Sequence, residues 1–154
     1  MRAVTTVAML SVLTLAGCGQ GGPAASGISK TDPLVQKLLA ELPADYAAAD
    51  PAQGRELFAQ CRSCHTVVKD GPHMTGPNLY GVFGRKAGSA AGFSYSNAMK
   101  GYGVTWDAAL LDKWIADPHA VLPETKMSFV GLKDAGQRRD VVSYLKVASS
   151  GGPS

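Results

Sequence analysis

Three residues with chemical reach fall within five positions, in the run Cys61-Arg62-Ser63-Cys64-His65. Two thiols separated by two residues can each add to a vinyl group of one haem, and the histidine directly after them can then present its imidazole to the iron from the same face. A redox dithiol would want a neighbouring strand and helix of the thioredoxin kind, and no such pattern surrounds these residues. A structural zinc would want a second Cys or His pair at ligand spacing, which neither His73 nor His119 supplies. Iron held by one histidine takes a sixth ligand, and a thioether there raises the reduction potential and closes the iron to outside ligands. Met74, Met99 and Met127 are the candidates. Residue type does not rank them, because methionine is more often a core filler than a ligand.

The third cysteine, Cys18, needs its own account. Arg2 is followed by an apolar run from Ala3 to Ala16, which fits a secretory signal over residues 1–17 and is too short for a spanning helix of about 20 residues. The run ends Leu15-Ala16-Gly17-Cys18, which resembles the lipobox of bacterial lipoproteins, so Cys18 is expected to be lipidated after cleavage before it. An ordinary signal cut near Ala24-Ala25 is the alternative, and both place the domain outside the cytoplasm. Residues 18–49 then hold the lipidated cysteine and a linker. Its 31 residues after Cys18 have a coil-like reach of roughly 30 Å and an extended limit near 100 Å.

The elements that must position the chemistry are few. Of 154 residues, about 100 remain for a single domain at 50–148, enough for one core. In the linker, Leu34, Val35, Leu38, Leu39 and Leu42 recur at helical spacing before Pro43, giving a short amphipathic helix whose mixed charges suit packing on the domain better than membrane contact. Asp50-Pro51 starts a helix running to about Arg62, which delivers Cys61 at its end. Gly54 inside it costs about 1 kcal/mol against Ala, so close approach by another helix is expected. The expected partner is a C-terminal helix from Asp134 to Ala148, with Val141, Val142, Tyr144 and Leu145 on its apolar face. A middle helix, about Asp107 to Ala116, stops before Pro118, and Gly/Pro-rich loops join the three. Residues 149–154 read as a disordered tail.

Charge excludes one class of partner. The chain carries 15 Lys+Arg against 12 Asp+Glu. Loss of Arg2 and the two carboxylates of a haem bring the mature charge near zero, so no nucleic-acid role is expected. No nucleophile and base pair or Gly-rich phosphate loop supports an enzyme.

From Cys61 to Lys146 the sequence resembles the class I cytochromes c, both mitochondrial and soluble bacterial photosynthetic. The matching stretches are Cys64-His65-Thr66-Val67, Gly76-Pro77-Asn78-Leu79, Phe83-Gly84-Arg85-Lys86, Gly92-Phe93-Ser94-Tyr95, Thr105-Trp106, Pro123, Thr125-Lys126-Met127 and Phe129-Val130-Gly131. The resemblance implies an all-α, single-haem fold with N- and C-terminal helices packed together and long loops wrapping the haem. It makes Met127 the axial ligand opposite His65 and gives the carbonyl of Pro77 the other imidazole hydrogen. Tyr95 and Trp106 become donors to a buried haem propionate, Arg85 the cation near it, and Thr125 a further polar neighbour.

Two departures bear on the ligand. Met99 and Trp114 stand where the mitochondrial proteins carry Asn and Tyr, so the usual hydrogen bond to the ligand sulfur is not carried over. Tyr80 and the pair His119-Ala120 replace a His and two lysines, which thins the basic ring around the exposed haem edge. The expectation is a monomeric, lipid-anchored cytochrome on the periplasmic side of a bacterial membrane, carrying single electrons between membrane complexes. A quinol-oxidising cytochrome complex, a terminal oxidase and a photosynthetic reaction centre are the partners implied. A peroxidase-like or gas-binding haem protein, and a dedicated subunit of an oxidase or dehydrogenase complex, are the alternatives.

Overall fold

Aspartates set where most of the helices begin. In the computed structural model, which describes residues 27–153, Asp32, Asp50, Asp107, Asp117 and Asp134 each accept from a backbone N–H of the following first turn. Each such cap contributes about 1 kcal/mol. The helices they start are α1 (Pro33–Leu39), α2 (Pro51–Leu57), α5 (Ala108–Ala116), α6 (Pro118–Val121) and α7 (Ala135–Ala148). Two more complete the set, α3 (Ala59–Arg62), and α4 (Asn97–Gly101) capped by the Ser96 hydroxyl. A 3-10 turn covers Ala44–Tyr46. Among the described residues there is no strand, only an isolated bridge between Lys86 and Thr105, and no helix is long and apolar enough to cross a membrane. The fold is therefore all-α, as expected. The signal at 1–17 and Cys18 lie outside the described residues.

The α2–α7 pair is the most extensive helix contact, and Gly54 permits it. A Cβ there would overlap the carbonyl oxygen of Asp140 on α7. Close by, the Asp50 backbone N–H donates to Asp140 Oδ1 at 2.7 Å, and the rings of Phe58 and Tyr144 sit 5.1 Å apart. The expected single helix from Asp50 to Arg62 is interrupted at Phe58. Its residues remain in α backbone geometry, and the Arg62 N–H still reaches the Phe58 carbonyl. The middle helix α5 packs on α7, with its Leu111 and Ile115 buried, and Arg138 Nε donates to Asp112 Oδ1 across the pair at 2.9 Å. Gly131, at φ 91°, lies so close to Ala116 that a Cβ would overlap its carbonyl, and the Leu132 N–H donates to Ile115 at 2.8 Å. The loop after Met127 is thus fastened to the end of α5.

Two expectations are corrected at the ends of the domain. The amphipathic helix of the linker packs on the domain as expected, with Val35 and Leu38 buried against α7, but the folded chain begins earlier, at buried Ile28, and continues through buried Tyr46 and Ala49. Burying side chains such as Val35 and Leu38 stabilises by roughly 1.5–3 kcal/mol each, more than an amphipathic stripe recovers in water. The helix ends at Leu39 rather than near Pro43, and its α7 contact is held by Lys146 Nζ to Glu41 Oε2 at 2.6 Å. Tyr46 Oη donates to the Ala108 carbonyl at 3.0 Å. The supposed tail is ordered at its start, because Ser149 is buried and its carbonyl accepts the Gly81 N–H at 2.8 Å. Gly152 then donates to Val147 at 3.0 Å.

Candidate functional site

One cavity of about 370 Å³ collects the residues singled out from the sequence, within the range of roughly 300–1,000 Å³ usual for ligand sites. Cys61, Cys64, His65, Pro77, Arg85, Tyr95, Trp106, Thr125 and Met127 all line it. Its apolar walls come from α5 (Leu111, Ile115) and α7 (Val141, Leu145), with Leu79 and Val82 from the loop between α3 and α4.

The α2–α3 segment carries both thiols to the cavity, unbridged and half-buried. Burial pushes the Cys61 thiol up to about 11, with a smaller push from Cys64. At neutral pH it is a protonated thiol rather than a thiolate ligand.

His65 follows directly, and its Nδ1 lies 2.7 Å from the Pro77 carbonyl oxygen. A carbonyl only accepts, so Nδ1 carries the hydrogen and Nε2 keeps its lone pair. Burial holds the imidazole below its ordinary pKa, the Pro77 bond acting in the opposite sense. A neutral ring with one fixed nitrogen and one available nitrogen is what an imidazole metal ligand needs. Gly76 makes room for it, since a Cβ there would overlap the ring.

Met127 enters from the loop between α6 and α7, its N–H accepted by Thr125 Oγ1 at 3.2 Å. Here the structure supplies a bond that the sequence did not lead us to expect. Trp114 Nε1 donates to Met127 Sδ at 3.2 Å, so the hydrogen bond that loss of the usual Tyr put in doubt is present, made by an indole one turn along α5 from the cavity wall residue Leu111. Trp114 in turn meets Trp106 edge to face at 5.4 Å, and Met99 is buried in the same lining.

The polar residues are fixed from behind. Arg85 Nη1 and Nη2 donate to the carbonyls of Tyr80 and Asn78, both at 3.1 Å. Burial lowers its pKa, yet a guanidinium stays charged at any relevant pH, so it is a half-buried cation on the cavity wall and not a solvated surface charge. Burial raises the Tyr95 phenol, keeping it a neutral donor. Tyr95 packs on Phe93 at 4.7 Å, and Phe93 on His73 at 5.5 Å. His73 accepts the Asn78 N–H through Nδ1 at 3.0 Å, and its Nε2 lies 2.7 Å from the Ala91 carbonyl, joining two loops.

These residues fit a covalently attached haem. Two thiols at attachment spacing, a neutral imidazole cradled by Gly76, a thioether and an apolar wall with one cation face the same space. The exposed rim, Gln60, Ser63, Thr75, Lys126 and Ser128, carries a single charge.

Comparison with known proteins agrees with this chemistry. A family profile described as cytochrome c matches residues 51–149. Cytochrome c2 of Rhodomicrobium vannielii is 51% identical over 100 residues, covering 65% of this chain and 80% of that protein. Cytochrome c2 of Blastochloris viridis is 40% identical over 115 residues, 75% of this chain and 91% of its own length. Cytochrome c of Ginkgo biloba is 45% identical over 102 residues, 66% and 90% respectively.

Proposed function

The chain belongs to the cytochrome c family, and from that premise we propose that it is a lipid-anchored, periplasmic electron carrier whose haem iron is ligated by His65 and Met127. Family membership brings a covalent haem c, attached through the pair Cys61 and Cys64, and one-electron transfer. The observation that carries the ligand assignment is the convergence of a Pro77-bound imidazole and a Trp114-bound thioether on one cavity.

Bound haem supplies the redox chemistry. The chain's own residues do the rest. Pro77 fixes the His65 tautomer, Trp114 and Thr125 orient Met127, and Arg85, Tyr95 and Trp106, which line the cavity, would hold the carboxylates that a haem brings into an apolar site. Fastening of the Gly131–Leu132 segment to α5 keeps the Met127 loop in place, which favours a closed carrier over a peroxidase-like or gas-binding protein and gives no footing to an enzyme.

The partners that suit such a carrier are membrane electron-transfer complexes: a quinol-oxidising cytochrome complex, a terminal oxidase or a photosynthetic reaction centre. The carrier works as a monomer, exported by the signal at 1–17 and anchored through Cys18. Visible and EPR spectra of the purified protein test the ligands. A low-spin, six-coordinate ferric haem is expected, and a high-spin, five-coordinate one at neutral pH overturns the carrier reading. Membrane fractionation with mass spectrometry of the N-terminus tests the anchor. A soluble protein with an unmodified terminus beyond Cys18 ends the anchor and leaves electron transfer standing.

A further inference from the structure

We propose that the mouth of the cavity docks its redox partner through an apolar, nearly uncharged face that includes Val130 and Met74, so that exclusion of water rather than charge holds the encounter. The inference deepens the electron-carrier reading and rests on it. The partner such a face fits is a redox protein whose own docking surface is aliphatic or aromatic and carries few charges. Val130 is 83% exposed and follows the lining residue Phe129, on the Met127 side of the mouth. Met74 is 46% exposed and precedes the lining residue Thr75, on the His65 side. Apart from Lys126, the exposed rim adds only hydroxyls and an amide, from Ser63, Thr75, Ser128 and Gln60.

Charge around the mouth is sparse and of mixed sign. Lys126 Nζ donates to the Ser94 carbonyl at 3.2 Å, and exposed Glu124 stands two residues before it. Arg62, beside Ser63, is the other cation next to the rim. Further along the Met127 loop, Lys133 pairs with Asp117 at 3.3 Å and is followed by Asp134. Before Met74, the exposed pair Lys69 and Asp70 are opposite in sign. No side of the mouth therefore gathers the field that would steer an acidic partner. Uncharged groups are also easier to dehydrate. A hydroxyl or amide can keep a hydrogen bond across a docked face, whereas a lysine or carboxylate loses hydration that pairing often fails to return. Val130 is presented by a fixed backbone, because Gly131 sits at φ 91° against the Ala116 carbonyl and the Leu132 N–H donates to Ile115 at 2.8 Å. An aliphatic side chain held out in water by a fastened loop gives up little freedom on docking, which suits an apolar anchor ringed by neutral groups.

Voltammetry of the full-chain holoprotein in nonionic detergent tests this, on gold coated with either a mixed methyl- and hydroxyl-terminated monolayer or a carboxylate-terminated one. A reversible one-electron wave is expected on the uncharged layer, its rate changing less than about twofold between low and high salt, with a slower wave on the carboxylate layer. Val130→Glu and Met74→Glu should each slow the wave on the uncharged layer several-fold and thin the coverage, while the low-spin spectrum stays in place. Leu34→Glu is the control, at a residue of 45% exposure on α1, and should leave the rate alone. A lipid anchor is common to all three variants and cancels in the comparison. A faster wave on the carboxylate layer that salt abolishes, or Val130→Glu and Met74→Glu proteins as fast as Leu34→Glu, overturns the inference and leaves the carrier reading standing. A holoprotein with no reversible one-electron chemistry even toward soluble mediators overturns both.

Discussion

Trp114 Nε1 points its hydrogen at Met127 Sδ across 3.2 Å. An indole N–H donates and cannot accept, so the bond draws electron density from the sulfur in one direction only. With Met127 on the iron, as proposed, a less electron-rich thioether would favour ferrous over ferric iron, and Trp114 would contribute to a high potential.

Trp114→Phe keeps the ring's bulk and removes the donor. A net hydrogen bond of about 0.5–1.5 kcal/mol sets a ceiling of about 60 mV on the fall in potential, at 59 mV per factor of ten. Potentiometric titration reads it, and a potential that rises contradicts this role for Trp114.

Met127→Ala should leave haem attached through Cys61 and Cys64 but lower the potential by much more than Trp114→Phe, and admit cyanide or imidazole quickly. Met74, exposed beside the rim, is the control, and Met74→Ala should do neither. Ligand-binding kinetics and the midpoint potential of the two variants decide the assignment.

In a free helix Gly54→Ala would gain about 1 kcal/mol. Here the new Cβ overlaps the Asp140 carbonyl, so α2 and α7 must part, and a net loss of roughly 1–3 kcal/mol is expected. Urea unfolding of the holoprotein measures it, and a variant as stable as the wild type refutes the close approach.

The Gly54 contact was legible from sequence because a glycine in a helix interior costs stability that only close packing repays. The start of α2 was equally legible, since Asp50-Pro51 leaves a local signal, and apolar spacing placed α5 and α7 close to their observed starts. What escaped has physical reasons. The helices α4 and α6 span five and four residues, too few for apolar periodicity to register. The stripe of leucines in α1 announced burial but not its partner, which is chosen by α7 about a hundred positions away. Ser149 carries no pattern at all and is ordered by a carbonyl that Gly81 happens to reach. The site residues were grouped by resemblance, and the Trp114 bond was missed because a larger side chain delivers the same kind of donor by a different path.

Tyr46 gives a pH dependence that isolates the folded linker. Burial, then the charges of Asp112 and Asp45, push its phenol up to about 12 from 10.0. Above pH 10 the unfolded chain releases this proton while the folded one keeps it, so stability present below pH 10 is lost as pH rises toward 12. At pH 11 the loss is about 1 kcal/mol at most, allowing for solvent screening. Tyr46→Phe should shrink the drop in urea midpoint between pH 8 and pH 11. An identical drop in both proteins removes the phenol from this account.

The bond from Asp50 to Asp140 joins positions 90 residues apart, and with it α7 brings Val141 and Leu145 to the wall behind Cys61. Closing so long a loop costs chain entropy before the packing of α7 on α2 can offset it, a topology of high contact order and slow folding for so small a helical protein. The attachment cysteines stand at the near end of this loop, and Val141 and Leu145, which close one side of the cavity, at the far end. A haem already joined to Cys61 and Cys64 would give the returning α7 an apolar plate to collapse upon, so attachment before closure is the order expected to fold faster.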